Sequence, residues 1–199
     1  MNARSMRKAS GSLTVKELSE KTWSDFKAVL GNNGGARGCW CMHWRLSIAE
    51  WTEGKGEGNK KAMSRLAQRA PAPGVIVYQG DTPVAWCSLG PRSSFPRLER
   101  SPLLSGLDDE PVCAIACVFV HKKHRGSGML PTLLEAVCEY AAAAGYPTAE
   151  GYPIEPAAGK RAGADTAMTG IASAFLDAGF SEVARPRENR PIMRRKLGK

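Results

Sequence analysis

At 199 residues, of which 43% are hydrophobic, the chain has the size and apolar content of one α/β domain with its own core. A formal charge of +9 points to polyanionic partners, whether nucleic acid, an acidic surface or a phosphorylated small molecule, without choosing among them. No apolar run approaches the ~20 residues needed to cross a bilayer, and the opening MNARSMRKASGS is basic and polar with no apolar signal core, so the expectation is a cytoplasmic protein with a flexible arm over 1–11 and a single domain over 12–199.

In chain order, SLTVKEL (12–18) alternates as a first strand, and TWSDFKAVLG reads as a short helix capped by Thr22 or Ser24 and stopped by Gly31. GNNGGARGCWC (31–41) is a glycine-rich loop running into aromatics, and WRLSIAEW and NKKAMSRLAQRA supply one or two further helices before Pro71. GVIVYQGDTPVAWCSLG predicts a hairpin, with β-branched residues on both sides of Gly80-Asp81-Thr82-Pro83. The stretch 91–111, PRSSFPRLERSPLLSGLDDEP, is long for a connection, which predicts an excursion that contacts substrate or a second subunit. VCAIACVFV (112–120) is nearly all apolar, the pattern of a central strand buried on both faces. It runs into the basic loop HKKHRGSG and a helix from Met129 to Ala144, with Leu130, Leu133, Leu134, Val137 and Cys138 at helical spacing, Pro131 in the first turn and Gly145 closing it. A strand near PTAEGYPI, the segment EPAAGKRAGADT, a helix around MTGIASAFLDAG and two strands near SEVAR and PIMRRKL complete the chain, with no internal repeat.

The six cysteines lie mostly in apolar or aromatic runs, without the spacing of a small disulfide framework, and suit a reducing compartment as core filler. Cys39-Trp40-Cys41-Met42-His43 gathers soft ligands, but its spacing matches neither a zinc knuckle nor a redox Cys-Xaa-Xaa-Cys, and no metal is expected. The basic ending RPRENRPIMRRKL is interrupted by prolines and bulky apolar residues, which favours a solvated strand face over nucleic-acid binding.

The chemistry concentrates at Arg125-Gly126-Ser127-Gly128, between the buried strand and the long helix. The first N–H groups of a helix lack intrahelical partners and the helix dipole adds positive potential there, so a phosphate at that point is stabilised. The two glycines let the backbone come close, Arg125 offers paired donors, and Lys122 and Lys123 raise the local potential. The bland alternative is a basic turn that caps a helix.

The order of buried strand, basic glycine loop, amphipathic helix, further strand and late AFLDAGF helix resembles the GNAT superfamily of N-acetyltransferases. The family's acyl-CoA loop, Gln/Arg-Xaa-Xaa-Gly-Xaa-Gly/Ala, falls on Arg125, Gly126, Ser127, Gly128, Met129 and Leu130, with Leu130 departing from Gly or Ala. The late Tyr-Xaa-Xaa-Xaa-Gly-Phe signature falls on Phe175 to Phe180, with Phe175 in place of the tyrosine that would protonate the CoA thiolate. The resemblance spans about residues 74–197. It implies a single mixed sheet of six to seven strands flanked by helices and splayed between its two central parallel strands. It also implies acetyl-CoA as cosubstrate and direct transfer to a primary amine of a small molecule or peptide.

On that pattern the backbone groups of Val118 and Val120 would pair with the pantetheine amides, and a strand N–H would stabilise the oxyanion. An alkyl ammonium of pKa about 10.4 needs a base or water chain before it attacks. Glu150, on the strand that splays from the CoA strand, is the first candidate base; its alternative is a strand-end carboxylate or a partner for Arg161, with Asp108, Asp109 and Glu110 as the other acidic candidates. Tyr152 is the nearest replacement proton donor or a core residue, and Trp40, Trp44 and Trp51 line the acceptor pocket or fill core. A homodimer is compatible with this reading; a membrane or nucleic-acid partner is not expected. The rivals are a Cys-dependent redox or metal protein built on CWCMH, and a CoA-sensing or nucleic-acid-binding module that keeps the fold without turnover.

Overall fold

The β-branched runs on either side of Gly80-Asp81 pair as β2 (Gly74–Gln79) and β3 (Thr82–Pro91), and the reversal is a two-residue turn with Pro83 already in the strand. This hairpin is the nucleus of a seven-stranded sheet in a computed structural model that describes residues 13–157, 159–160, 162–163 and 166–198. The expected arm over 1–11 lies outside the described residues. With β1 (Leu13–Glu17), β4 (Val112–Val120), β5 (Thr148–Gly151), β6 (Ser181–Arg187) and β7 (Arg190–Lys196), the strand order is β1-β2-β3-β4-β5-β7-β6. Every neighbouring pair is antiparallel except β4 and β5.

A parallel pair needs a crossover. Here it is α5 (Met129–Ala143), whose Met129, Leu133, Leu134, Val137 and Ala141 are buried on one stripe against Cys113, Ile115 and Val118 of β4. Short α6 (Ala172–Asp177) shares that face. The opposite face holds a second apolar cluster in which Phe26 and Val29 of α1 (Trp23–Leu30) and Met63 of α3 (Glu57–Leu66) meet Ile76, Tyr78 and Trp86. Between α1 and α3, α2 (Ile48–Glu53) starts at a reciprocal cap: Ser47 Oγ accepts from Glu50 N–H, and Glu50 accepts from Ser47 N–H.

The excursion 91–111 folds onto its own domain. After a 3-10 turn at Arg92–Ser94 comes α4 (Pro96–Glu99), and Phe95, Leu98 and Leu104 are buried with Ala114, Ala116, Tyr152 and Ile192. Substrate or subunit contact is not needed to account for its length.

The late helix is shorter than its sequence pattern. Gly170 takes φ +88° and Ile171 is extended, bridging in parallel to Ile154, so helical geometry starts only at Ala172. Phe175 explains the constraint: it is fully buried, edge-on to Phe180 at 4.9 Å, and a Cβ on Gly151 would lie 2.1 Å from its ring. With the ring held on both sides, Gly151→Ala is expected to destabilise the fold by about 1–3 kcal/mol by overpacking, read as a lower urea midpoint at unchanged slope.

Candidate functional site

The β3–β4 ladder pairs Ser88 with Cys117 and then Leu89 with Ile115, leaving Ala116 as an extra residue on β4. The consequence shows in the side chains. Cys113 and Ile115 face the α5 core, and so does Val118 beyond the bulge, although strict alternation would turn it away. The parallel β4–β5 pairing runs from Val112↔Thr148 to Ile115↔Gly151 and stops there. Bulge and separation therefore coincide, and Ala116–Val120 keeps β3 as its paired strand while its other edge faces the opening between β4 and β5. Val118 and Val120 lie on that length. The 3-10 turn Ala167–Thr169 packs against β4, and Met168 joins the cluster containing Cys117 and Phe119.

β4 ends in the basic loop. His121 Nδ1 accepts from Lys123 N–H and starts a 3-10 turn over Lys122–His124, Arg125 is extended, and Gly126 and Gly128 take φ +77° and +76°. In that left-handed region glycine alone carries no Cβ penalty. Gly128 is the N-cap of α5 and offers no side chain to the free N–H groups of the first turn, which contains no acidic residue. A Cβ built on either glycine would meet nothing within 4 Å, so open space lies in front of this helix end.

Arg125 Nε donates to the carbonyl of Val120 (2.8 Å) with its guanidinium over the ring of Phe119, and Ser127 Oγ donates to the His124 carbonyl (2.7 Å). Slight burial, followed by the charges of His124, Lys123, Lys122 and Arg125, holds His121 below the usual imidazole range. Leu130, the residue that departs from the family motif, is half-buried and packs against the core beside α5.

Glu150 and Tyr152 come together. Arg92, just past the end of β3, donates through Nη1 to Glu150 Oε1 (2.9 Å) and to Tyr152 Oη (2.7 Å), while the Tyr152 hydroxyl donates to Glu150 Oε1. The other oxygen, Oε2, accepts from Arg194 Nε (2.7 Å). Arg194 continues to Asp108 through two bonds of 2.6 and 2.9 Å and to Glu110 at 3.3 Å, and Glu110 also accepts from Thr148 and Lys196.

Glu150 is 1% exposed and Tyr152 is fully buried, its hydroxyl pushed well above the usual phenol range by burial and then by Glu150. Arg194, and for Glu110 chiefly Lys196, hold Asp108 and Glu110 below the ordinary carboxylate range. Three of the four candidate bases thus sit in one ion-pair network, with Asp109 exposed beside it. Arg161, the other suggested partner of Glu150, lies outside the described residues. Sequence reasoning missed Arg92 and Arg194, because no local pattern marks a cation that meets its carboxylate across the sheet.

The CWCMH segment belongs to the second core. Trp40 and Cys41 take φ +46° and +54°, unusual for residues with side chains, and Cys41 Sγ lies 3.5 Å from Cys117 Sγ on β4. The hydrogen bond with Cys117, together with burial, holds the Cys41 thiol well above its usual range. Trp40 is core; Trp44 and Trp51 are half-buried edges around His43, which burial and then Arg97 hold down at about 4. The structure therefore makes Trp40 a packing residue and leaves Trp44 and Trp51 partly open.

Among the described residues no helix is long and apolar enough to cross a membrane. Comparison with curated proteins found no match. Solved structures similar in fold include a GNAT-family acetyltransferase from Listeria monocytogenes (TM-score 0.53, 7% identity, covering 92% of this chain and 94% of that one). A putative phosphinothricin N-acetyltransferase gives 0.52 and 13%, covering 94% and 100%. AAC(6')-Ib in complex with ribostamycin and coenzyme A gives 0.51 and 16%, covering 93% of each. These likenesses confirm the mixed α/β architecture with one parallel pair at its centre. The sequence model of the Acetyltransferase (GNAT) family matches residues 40–150, more than half of the chain and including the bulged strand, the basic loop and α5, and the chain belongs to that family of acetyltransferases.

Proposed function

We propose that the protein is an N-acetyltransferase that moves the acetyl group of acetyl-CoA directly onto a primary amine of a small molecule or peptide. The observation that carries this reading is the coincidence on β4 of three features: the Ala116 bulge, the end of pairing with β5, and the run into a glycine loop that caps α5. Arg125, Gly126, Ser127, Gly128, Met129 and Leu130 then hold the pyrophosphate by backbone N–H groups and the Arg125 charge. The pantetheine arm takes the place of a strand beside Val118 and Val120. The amine nitrogen attacks the thioester carbonyl carbon, the C–S bond breaks, and CoA leaves as thiolate.

Glu150 and Tyr152 shape the end of the cleft within this reading. A carboxylate that already accepts from two guanidiniums and a hydroxyl, and is almost wholly shut off from solvent, is poorly placed to take the ammonium proton. Water in the open cleft takes that proton, and a thiolate of pKa about 8.5 needs little assistance to leave. Phe175, which has no hydroxyl and is fully buried, supplies none.

That same pair of facts favours a second reading, a CoA-binding module of reduced turnover. One experiment separates them. Calorimetry with acetyl-CoA and thiol release over a panel of amines should show binding and release together; binding without release supports the second reading, and absence of binding removes both.

A further inference from the structure

We propose that a cavity of about 250 Å³ beside α3 is a binding site for an oxyanion, a carboxylate or phosphate group, and that the group belongs to the acceptor amine. The proposal rests on the acetyltransferase reading for its second half only. Arg45, Arg65 and Arg69 all line the cavity, with Ser93 and Ser94 as hydroxyl donors and Leu66 in its apolar wall. No carboxylate lies among its described lining residues.

Arg45 is held in place from behind. Its Nη2 donates to the carbonyl of Pro73 (2.7 Å) and reaches Ser88 Oγ (3.4 Å), Nη1 donates to the Ser94 carbonyl (3.3 Å), and the guanidinium stacks 4.3 Å over Phe95. All of these partners are neutral. Its Nε–H is shut off from solvent and has no partner, a donor left over in a buried charged group. Neither the Arg65 nor the Arg69 side chain has an ion pair or hydrogen bond among the described residues.

The helix C-terminus accounts for one of these cations. Arg65 stands in the last turn of α3, where a positive charge is favoured by the dipole. Arg69 follows four residues later and Arg45 comes from another segment, and like charges converging without a counter-charge repel one another. An oxyanion in the cavity removes that repulsion. The cavity suits one anionic group with an apolar body, and is too small for a nucleic-acid strand.

Its location links it to the reaction line. Ser88, which Arg45 approaches, is the ladder partner of Cys117 on β4, and paired residues of antiparallel strands present their side chains on the same face. Adjacent strands lie about 4.8 Å apart. The cavity therefore lies on the face of the sheet that carries Cys117, with Arg45 and the buried Ser88 between it and β4. On the acceptor assignment, the anionic end of the acceptor sits in this cavity and its amine at the open edge of β4 past the bulge.

The test uses the full chain and the double variant Arg65→Gln/Arg69→Gln, both positions being exposed and outside the core. Inorganic phosphate is titrated against thermal unfolding, and acetylation is compared for matched amines: a lysyl dipeptide with a free carboxylate against its amide, and phosphoethanolamine against ethanolamine. With the CoA loop saturated by CoA, phosphate is expected to raise Tm in the parent and not in the double variant. The anionic amine of at least one pair is expected to show a KM about tenfold lower than its neutral counterpart, a preference lost in the double variant while acetyl-CoA affinity is unchanged.

A phosphate response without amine preference keeps the anion site and overturns the acceptor assignment. Equal or absent phosphate responses in the two proteins overturn the site. Failure of acetyl-CoA to bind removes the acetyltransferase reading and leaves the phosphate result standing on its own.

Discussion

Replacing Glu150 by glutamine is expected to lower stability by about 3–5 kcal/mol, the usual consequence of removing one member of a buried ion pair, because two guanidiniums lose their shared carboxylate at once. Arg92 and Arg194 are 15% and 10% exposed in their side chains, so neither can turn to water without moving its neighbours. The loss falls mainly on Arg92. Arg194 keeps Asp108 and Glu110, whereas Arg92 is left with the Tyr152 hydroxyl and the carbonyls of Leu98 and Leu104. Urea unfolding of parent and variant measures this directly. A base role predicts the opposite pattern: an unchanged midpoint with a fall in kcat of about 10²–10⁴ and loss of one limb of its pH profile. An unchanged midpoint with lost turnover would return Glu150 to the proton path.

Arg125→Ala is expected to weaken acetyl-CoA binding about 10- to 100-fold, the range that one or two charge-assisted hydrogen bonds to phosphate contribute. Stability should change little, since Arg125 is exposed and its one side-chain hydrogen bond among the described residues is to the Val120 carbonyl at the strand end. Arg125→Lys separates the two ways the residue acts: it keeps the charge and loses the paired donors, so an intermediate affinity is expected. Calorimetry at two salt concentrations reads both. The deficit of the alanine variant should shrink at high salt, where the field of Lys122, Lys123 and Arg125 is screened. Equal affinity in all three proteins would place the pyrophosphate elsewhere.

The sequence read well wherever one element contains its own reason. VCAIACVFV carries burial on both faces in its composition, α5 carries a stripe at helical spacing, and Arg125-Gly126-Ser127-Gly128 carries the backbone freedom that its two left-handed glycines use. The hairpin was legible because two β-branched runs flank a glycine turn. The departure at Leu130 is visible in the loop itself, and its side chain packs on the core.

Other features depend on residues far apart in the chain, which no periodicity records. Arg92 meets Glu150 across 58 positions and Tyr152 across 60, and Cys41 meets Cys117 across 76. The bulge at Ala116 is invisible in its own strand, because a run apolar on both faces gives no alternation to break; only the register against β3 exposes it. The start of α6 shifted for a similar reason, since pairing of Ile171 with Ile154 outweighed a helical pattern. The sequence by itself determined the strand, the basic glycine loop and the helix behind it, because each is specified by neighbours within a few residues. Only the tertiary structure decided where β4 parts from β5, which carboxylates are already held by arginines and which arginines lack a counter-charge among the described residues, because those outcomes are set by long-range pairing and burial.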